Sequence, residues 1–233
     1  MGTGIFTAEE FTAVRLSLWV AVTAVGVSLP LGIGVAWLLA RRRFVGKTAI
    51  ETMIHLPLVM PPVVTGYVLL VTFGRQGFIG RWFDQWLGWQ FVFNWKGAAL
   101  ASAVMAFPLM VRSIRSAISA VDPRLEQAAR TLGAGPWDTF FHVTLPLART
   151  GVIAGAVLAF ARGFGEFGAT LMIAGNIPGE TRTVPLEIYN LLESPGVEEP
   201  AWRLVGASIV IAAAAIAIGE YLERRGRSNL SMP

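Results

Sequence analysis

Few residues in this chain are of types that do chemistry, and their spacing does not favour it. Gly46-Lys47-Thr48 reads like the end of a phosphate-binding loop, but the glycine required five positions earlier is Arg41, and an apolar run precedes the segment instead of a β-strand. The match is accidental. Gly32, Gly34 and Trp37 break a dinucleotide fingerprint at its third glycine, and His55 and His142 are the only histidines, so no H-E-x-x-H zinc motif exists. The absence of cysteine excludes disulfides and thiolate metal sites. No catalytic residue and no metal ligand is assigned.

One charged pair remains to be explained. Arg162 and Glu166 lie inside an apolar stretch, where an ionisable side chain costs roughly 2.5 to 3.5 kcal/mol on insertion scales and so avoids lipid. Four apart on a helix, they share a face and can pair, and Gly163, Gly165 and Gly168 let another backbone come close. They are either a functional charge within the membrane or a buried ion pair that positions helices. The adjacent carboxylate favours the second, because it cancels much of that charge.

The elements around that pair follow from composition. The 233 residues are 54% hydrophobic and 15% charged, against about 45 to 50% and 25% in an ordinary soluble domain. At about 20 apolar residues per crossing, an all-α polytopic membrane protein is the reading. Apolar runs cover residues 12–40, 50–73, 98–120, 148–174 and 205–218, which predicts five transmembrane helices. Six would result from a break at Pro30 or a re-entrant piece between Gly163 and Gly175. The first run is not a cleavable leader, since its positive charge, Arg41-Arg42-Arg43, comes after it.

Charge position sets the orientation. Twelve of the nineteen Lys and Arg residues fall on one side if the Arg41 loop, the segment between spans three and four and the C-terminus share it. The N-terminus is therefore expected outside and the C-terminus in the cytoplasm. The formal charge of +4 belongs to this pattern and does not indicate nucleic acid. Between Gly74 and Gly97, four tryptophans among Phe and Gly suit a segment at the headgroup level, where Arg75 and Arg81 read first as solvated surface charge and second as charges that steer a ligand or pair with a protein partner.

The loop at about 121–147 has a pattern of its own. Asp122 is a good helix cap and Pro123 fits the first helical position. Leu125, Ala128, Ala129 and Leu132 then recur at helical spacing until Gly133 ends the helix. Gly135 and Pro136 start a second helix with Trp137, Phe140 and Phe141 on one side. The mixed charges and small alanines make a poor lipid anchor, so a docking surface for a soluble protein is the better reading. In the second run, Pro57, Pro61 and Pro62 each remove a backbone donor. Thr65, Gly66 and the freed carbonyls would form part of a gate, or the prolines simply kink a packed helix. Gly151 and Gly155 form a G-x-x-x-G, read first as a packing notch and second as a dimer contact.

Gln127-Ala128-Ala129, Gly133 and Val143-Thr144-Leu145-Pro146 resemble the "EAA" signature of the membrane subunits of ABC-type importers, E-A-A-x3-G-x9-I-x-L-P, with every spacing kept. Gln127 stands where the signature has Glu, with Glu126 beside it, and Val143 stands for Ile. The runs 55–67, 74–80, 107–112, 163–170 and 176–183 resemble the molybdate permeases of bacterial uptake systems, and permeases for sulfate, thiosulfate and tungstate are similar in several of them. The resemblance implies one permease domain over 1–233 with the type I ABC importer fold, multi-pass in the bacterial inner membrane. It further implies a homodimer, a cytoplasmic ATPase docked on each EAA loop and an extracytoplasmic molybdate-binding protein. The ATPase-coupling residues would be Glu126, Gln127, Ala128, Ala129, Leu132, Gly133, Trp137, Leu145 and Pro146. The path or gate would draw on Pro61, Pro62, Thr65, Gly66, Arg162 and Glu166. No cofactor is expected on this chain, because ATP and magnesium belong to the ATPase. The chain itself would be a transport subunit, with an ion-driven secondary transporter as the remoter alternative.

Overall fold

A computed structural model describes residues 6–193 and 198–228, and every regular element among them is helical. Helix α1 (Ala8–Arg41) begins with a reciprocal cap, in which the Glu10 amide donates to Thr7 Oγ1 and the Thr7 amide donates to Glu10 Oε2 at 2.6 Å. Pro30 lies within α1 without ending it, so the break that would have given a sixth crossing there does not form. At about 1.5 Å per residue α1 is about 50 Å long, more than the ~30 Å hydrocarbon core requires.

The second apolar run is not one rod. It divides into α2 (Lys47–Val59) and α3 (Pro62–Phe73), whose axes differ by 115°. Pro61 caps α3 and Pro62 is its first residue, positions at which a missing N–H breaks no internal bond. Helix α4 (Phe78–Leu87) follows a turn that only glycine permits: a Cβ on Gly77 would overlap the carbonyls of Val71 and Thr72, and one on Gly80 those of Phe73 and Gly74. Its free face presents Phe78, Trp82 and Trp86 at one-turn spacing, as a helix at the headgroup level requires.

Helix α5 (Trp95–Ala120) is the central post, with Met105, Met110, Val111, Ile114 and Ile118 buried along it. It leads into the short elements α6 (Pro123–Thr131), α7 (Pro136–Thr139), a π-helical turn (Phe140–Thr144) and α8 (Leu145–Leu147). Helix α9 (Arg149–Phe164) then returns along α5 and also touches α1, which itself makes a long contact with α5. A Cβ on Gly151 would overlap that of Ala117, and one on Gly155 would lie 3.1 Å from Ile114 Cγ1. Ser113 and Ser102 donate to the carbonyls of Gly151 and Gly163 across the same seam, at 3.1 and 3.2 Å. The G-x-x-x-G is therefore a packing notch within the chain.

The fourth apolar run does not continue to Ala174 as one helix. Helix α9 stops at Phe164, residues 165–167 are irregular, and α10 (Gly168–Ala174) forms a separate helix packed on α3 and α5. Three glycines in six residues, each costing about 1 kcal/mol in a helix interior, weaken continuation there. Helix α11 (Val184–Glu193) precedes α12 (Glu198–Ser228), whose apolar stretch 201–225 outruns the expected 205–218. By length and composition α1, α5 and α12 can each cross a membrane. Counting α2–α3 and the pair formed by residues 136–147 with α9, bent by 70°, as one span each gives up to five.

The notch predicts a measurable asymmetry. Gly151→Leu should lower the thermal stability of the detergent-purified chain by about 1 to 3 kcal/mol through overpacking, whereas Gly34→Ala, with no neighbour within 4 Å of the added carbon, should not. Equal midpoints for the two variants would remove the notch from the account.

Candidate functional site

Local signals build the loop between α5 and α9. The Asp122 carboxylate accepts from the Arg124 amide at 2.9 Å, and Pro123 opens α6. Gly133, at φ +95°, ends the turn by a reversal that an L side chain rarely adopts, and the Ala134 amide closes back on the Ala129 carbonyl at 3.1 Å. The second segment is less regular than the sequence suggests: α7 widens into the π-helical turn before Pro146, which has no N–H for the carbonyl one turn back.

The inner side of this loop is tied to α1. Arg41 Nε and Nη2 donate to Glu126 Oε1 at 2.9 Å, Thr144 Oγ1 donates to the same oxygen at 2.8 Å, and Arg41 Nη2 also donates to the Val121 carbonyl. Glu126 is buried, so it serves the chain's own packing and is not on the surface with its neighbour Gln127. An aromatic stack adds a second tie: Trp37 of α1 stacks on Trp137 at 6.4 Å and meets Phe140 edge-on at 5.7 Å, with the Arg42 guanidinium over the Trp37 ring.

The other side of the loop has no cover within the chain. Leu125, Gln127, Ala128, Gly133 and Pro146 are exposed, Ala129 and Leu145 are half-buried, and Leu132 and Trp137 are 89% and 71% exposed. Nothing in the chain lies within 4 Å of a carbon added to Gly133. Exposed apolar side chains such as Leu125 and Leu132 on a loop held from behind are what a protein partner needs.

The residues placed at the path behave differently. Thr65 and Gly66 are buried where α3 meets α10; a Cβ on Gly66 would lie 2.7 Å from the Ala169 backbone and 2.8 Å from Met172 Cβ. Arg162 Nη1 and Glu166 Oε2 pair at 2.6 Å, but not along one helix, because Glu166 lies beyond the end of α9. Its other oxygen accepts from the Ala169 amide at 2.9 Å, so the carboxylate bridges the break and caps the first turn of α10. The hydroxyls of Thr65 and Thr170 are buried without a partner. Both oxygens of Glu166 are thus occupied within the chain, an arrangement that positions helices.

Sequence reasoning missed Arg41 and Thr144 as the partners of Glu126. Arg41 counted only toward orientation, and nothing local points to a carboxylate 85 positions away.

The profile described as "Binding-protein-dependent transport system inner membrane component" matches residues 28–228. The chain belongs to this family. It is 56% identical over 225 residues to the "Molybdenum transport system permease protein ModB" of Escherichia coli strain K12, covering 97% of this chain and 98% of the other. It is 34% identical over 217 residues to the "Sulfate transport system permease protein CysW" of Synechocystis, covering 92% and 77%. Its fold matches a chain of the MetNI methionine ABC transporter with a TM-score of 0.69 at 17% identity, over 92% of this chain and 94% of that one. The fold is therefore that of type I ABC importer permeases, and the chain is a multi-pass inner-membrane transport component and not an enzyme.

The tie behind the loop is testable. Glu126→Gln should cost about 1 to 3 kcal/mol of stability, and a double-mutant cycle with Arg41→Met should give a coupling energy of about 1 kcal/mol or more. Additive effects in thermal unfolding would mean that the two side chains do not act together.

Proposed function

We propose that this chain is the membrane permease of an ATP-driven importer that carries molybdate into the cell. The observation that carries the reading is the exposed apolar face of α6 and α7, joined at Gly133 and fastened to α1 by Glu126. Such a face requires a soluble partner, and in an importer of this family that partner is the ATPase. One ATPase subunit on each of two permease copies would supply the hydrolysis, holding ATP and magnesium itself. When the ATPases close, the loop moves as a body, and the Arg41 and Thr144 bonds to Glu126 pass the displacement to α1 and α9, changing access to the path by rigid-body rotation.

A second copy of the chain is supported by what α2 and α3 leave bare. No residue of α2 is buried, and Met53, Val59, Val63, Tyr67 and Val71 are all at least half exposed along the bent pair. An extracytoplasmic binding protein would deliver the oxyanion to the opposite side of the dimer, with the N-terminus outside and the C-terminus in the cytoplasm, as the Lys and Arg distribution requires. Molybdate is favoured over sulfate because identity to the molybdenum permease exceeds that to the sulfate permease, 56% against 34%. Membership of a binding-protein-dependent family speaks against an ion-driven carrier.

Reconstitution with the cognate ATPase and binding protein tests this reading, with molybdate expected to stimulate hydrolysis and uptake more than sulfate does. Equal or greater stimulation by sulfate would reassign the substrate. Gly133→Leu, which places a side chain at a positive φ on the docking face, should reduce ATP-dependent uptake by about tenfold or more while leaving membrane insertion normal. Unimpaired uptake in that variant would count against docking at the α6–α7 junction.

A further inference from the structure

A cleft of about 600 Å³ lies between α2 and the last turns of α5, lined by Thr48, Glu51, Thr52, His55, Arg112 and Arg115 over an apolar wall of Leu56 and Val59. It is at the same end of the molecule as the coupling loop, since α5 runs from Arg115 directly into α6. Its charges do not balance. Arg115 Nη1 pairs with Glu51 Oε1 at 3.0 Å, whereas Arg112 is exposed and has no hydrogen-bond or ion-pair partner among the described residues. Two guanidiniums against one carboxylate leave the cleft positive by at least one charge. Near the break between α9 and α10, by contrast, Arg162 and Glu166 neutralise one another.

His55 Nδ1 lies 2.7 Å from the Glu51 carbonyl oxygen, so the ring is held by its own helix. Thr48 adds a hydroxyl beside the arginines, whereas the Thr52 hydroxyl donates to the Thr48 carbonyl at 2.9 Å and is committed to its own helix. Planar guanidinium forks match the oxygens of a tetrahedral oxyanion, and the apolar wall lowers the local dielectric, strengthening the attraction.

We propose that this cleft is an oxyanion-binding site at the inner mouth of the permease, where a tetrahedral dianion leaving the path is held by Arg112 and Arg115 before release. The proposal rests on the importer reading and deepens it by assigning the exit to named residues. The same chemistry would accept the phosphate of an anionic lipid, so the test separates the two sources.

The chain has no cysteine, so Leu56→Cys on the apolar wall introduces a unique thiol. The permease with its ATPase is placed in nanodiscs of phosphatidylcholine alone or with phosphatidylglycerol, and thiol labelling of the permease band is followed with and without sodium molybdate. Molybdate should slow labelling in phosphatidylcholine, and adding Arg112→Gln should weaken the apparent affinity about tenfold, as loss of charge-assisted hydrogen bonds does. Three outcomes would overturn the site: no protection by molybdate, protection that survives Arg112→Gln combined with Arg115→Gln, or slowing by phosphatidylglycerol with no response to molybdate. Molybdate uptake by the complex without substitutions, measured in parallel in proteoliposomes with the binding protein, reads the importer assignment separately. Uptake without protection overturns the cleft alone, and protection without uptake overturns the importer reading and with it the role of the cleft as an exit.

Discussion

A carboxylate taken out of water has to be matched by a cation, and in this chain that requirement decides where helices may break and loops may attach. Four glutamates are buried among the described residues, and each faces an arginine: Glu10 with Arg203, Glu126 with Arg41, Glu166 with Arg162 and Glu187 with Arg182. Removing one partner from such a pair leaves a buried charge uncompensated, which costs about 3 to 5 kcal/mol where burial is complete. Each pair therefore constrains the relative place of the segments it joins, because parting the two side chains strands a buried charge. The Glu10 pair joins the start of α1 to α12, and the Glu126 pair joins the end of α1 to the coupling loop.

Between those two fastenings, α1 lies along α5 through small residues, and α9 lies along α5 through its glycines. The three helices form a stiff unit, because close backbone approach leaves little room for side chains to rearrange. The broken elements α2, α3 and α10 lie against this unit, and α2 and α3 leave apolar side chains exposed. A rigid post beside jointed segments is the division of labour that alternating access requires, one part transmitting displacement and the other opening and closing.

The parts of this arrangement that were legible in the sequence are those with local causes. Asp122, Pro123, Gly133 and Pro136 each announce a helix boundary by their own stereochemistry, and all four fall at one. Pro61 and Pro62 announced a break, but nothing in them states an angle of 115°, which depends on how α3 packs against α10. The run from 148 to 174 looked continuous because hydropathy averages over a window and does not register that Glu166 gains an amide by ending one helix and capping another. The inward turn of Glu126 was illegible for a different reason. Its partner, Arg41, belongs to a basic cluster whose obvious role is orientation, and only the packing of α1 beside α5 brings the two together.

The π-helical turn at Phe140–Thr144 has a further consequence. An α-helix advances by about 100° per residue, and a π-turn accommodates one residue more than the α-helical ladder would. Deleting any one of these five residues would tidy the backbone into ordinary helix while swinging everything on its N-terminal side by more than a quarter of a revolution. Leu132 and Trp137 would then point toward a different neighbour with no change in their identity. The direction in which the exposed side of this loop faces is thus encoded by how many residues the chain has there, and length variation is the change this short stretch would tolerate least.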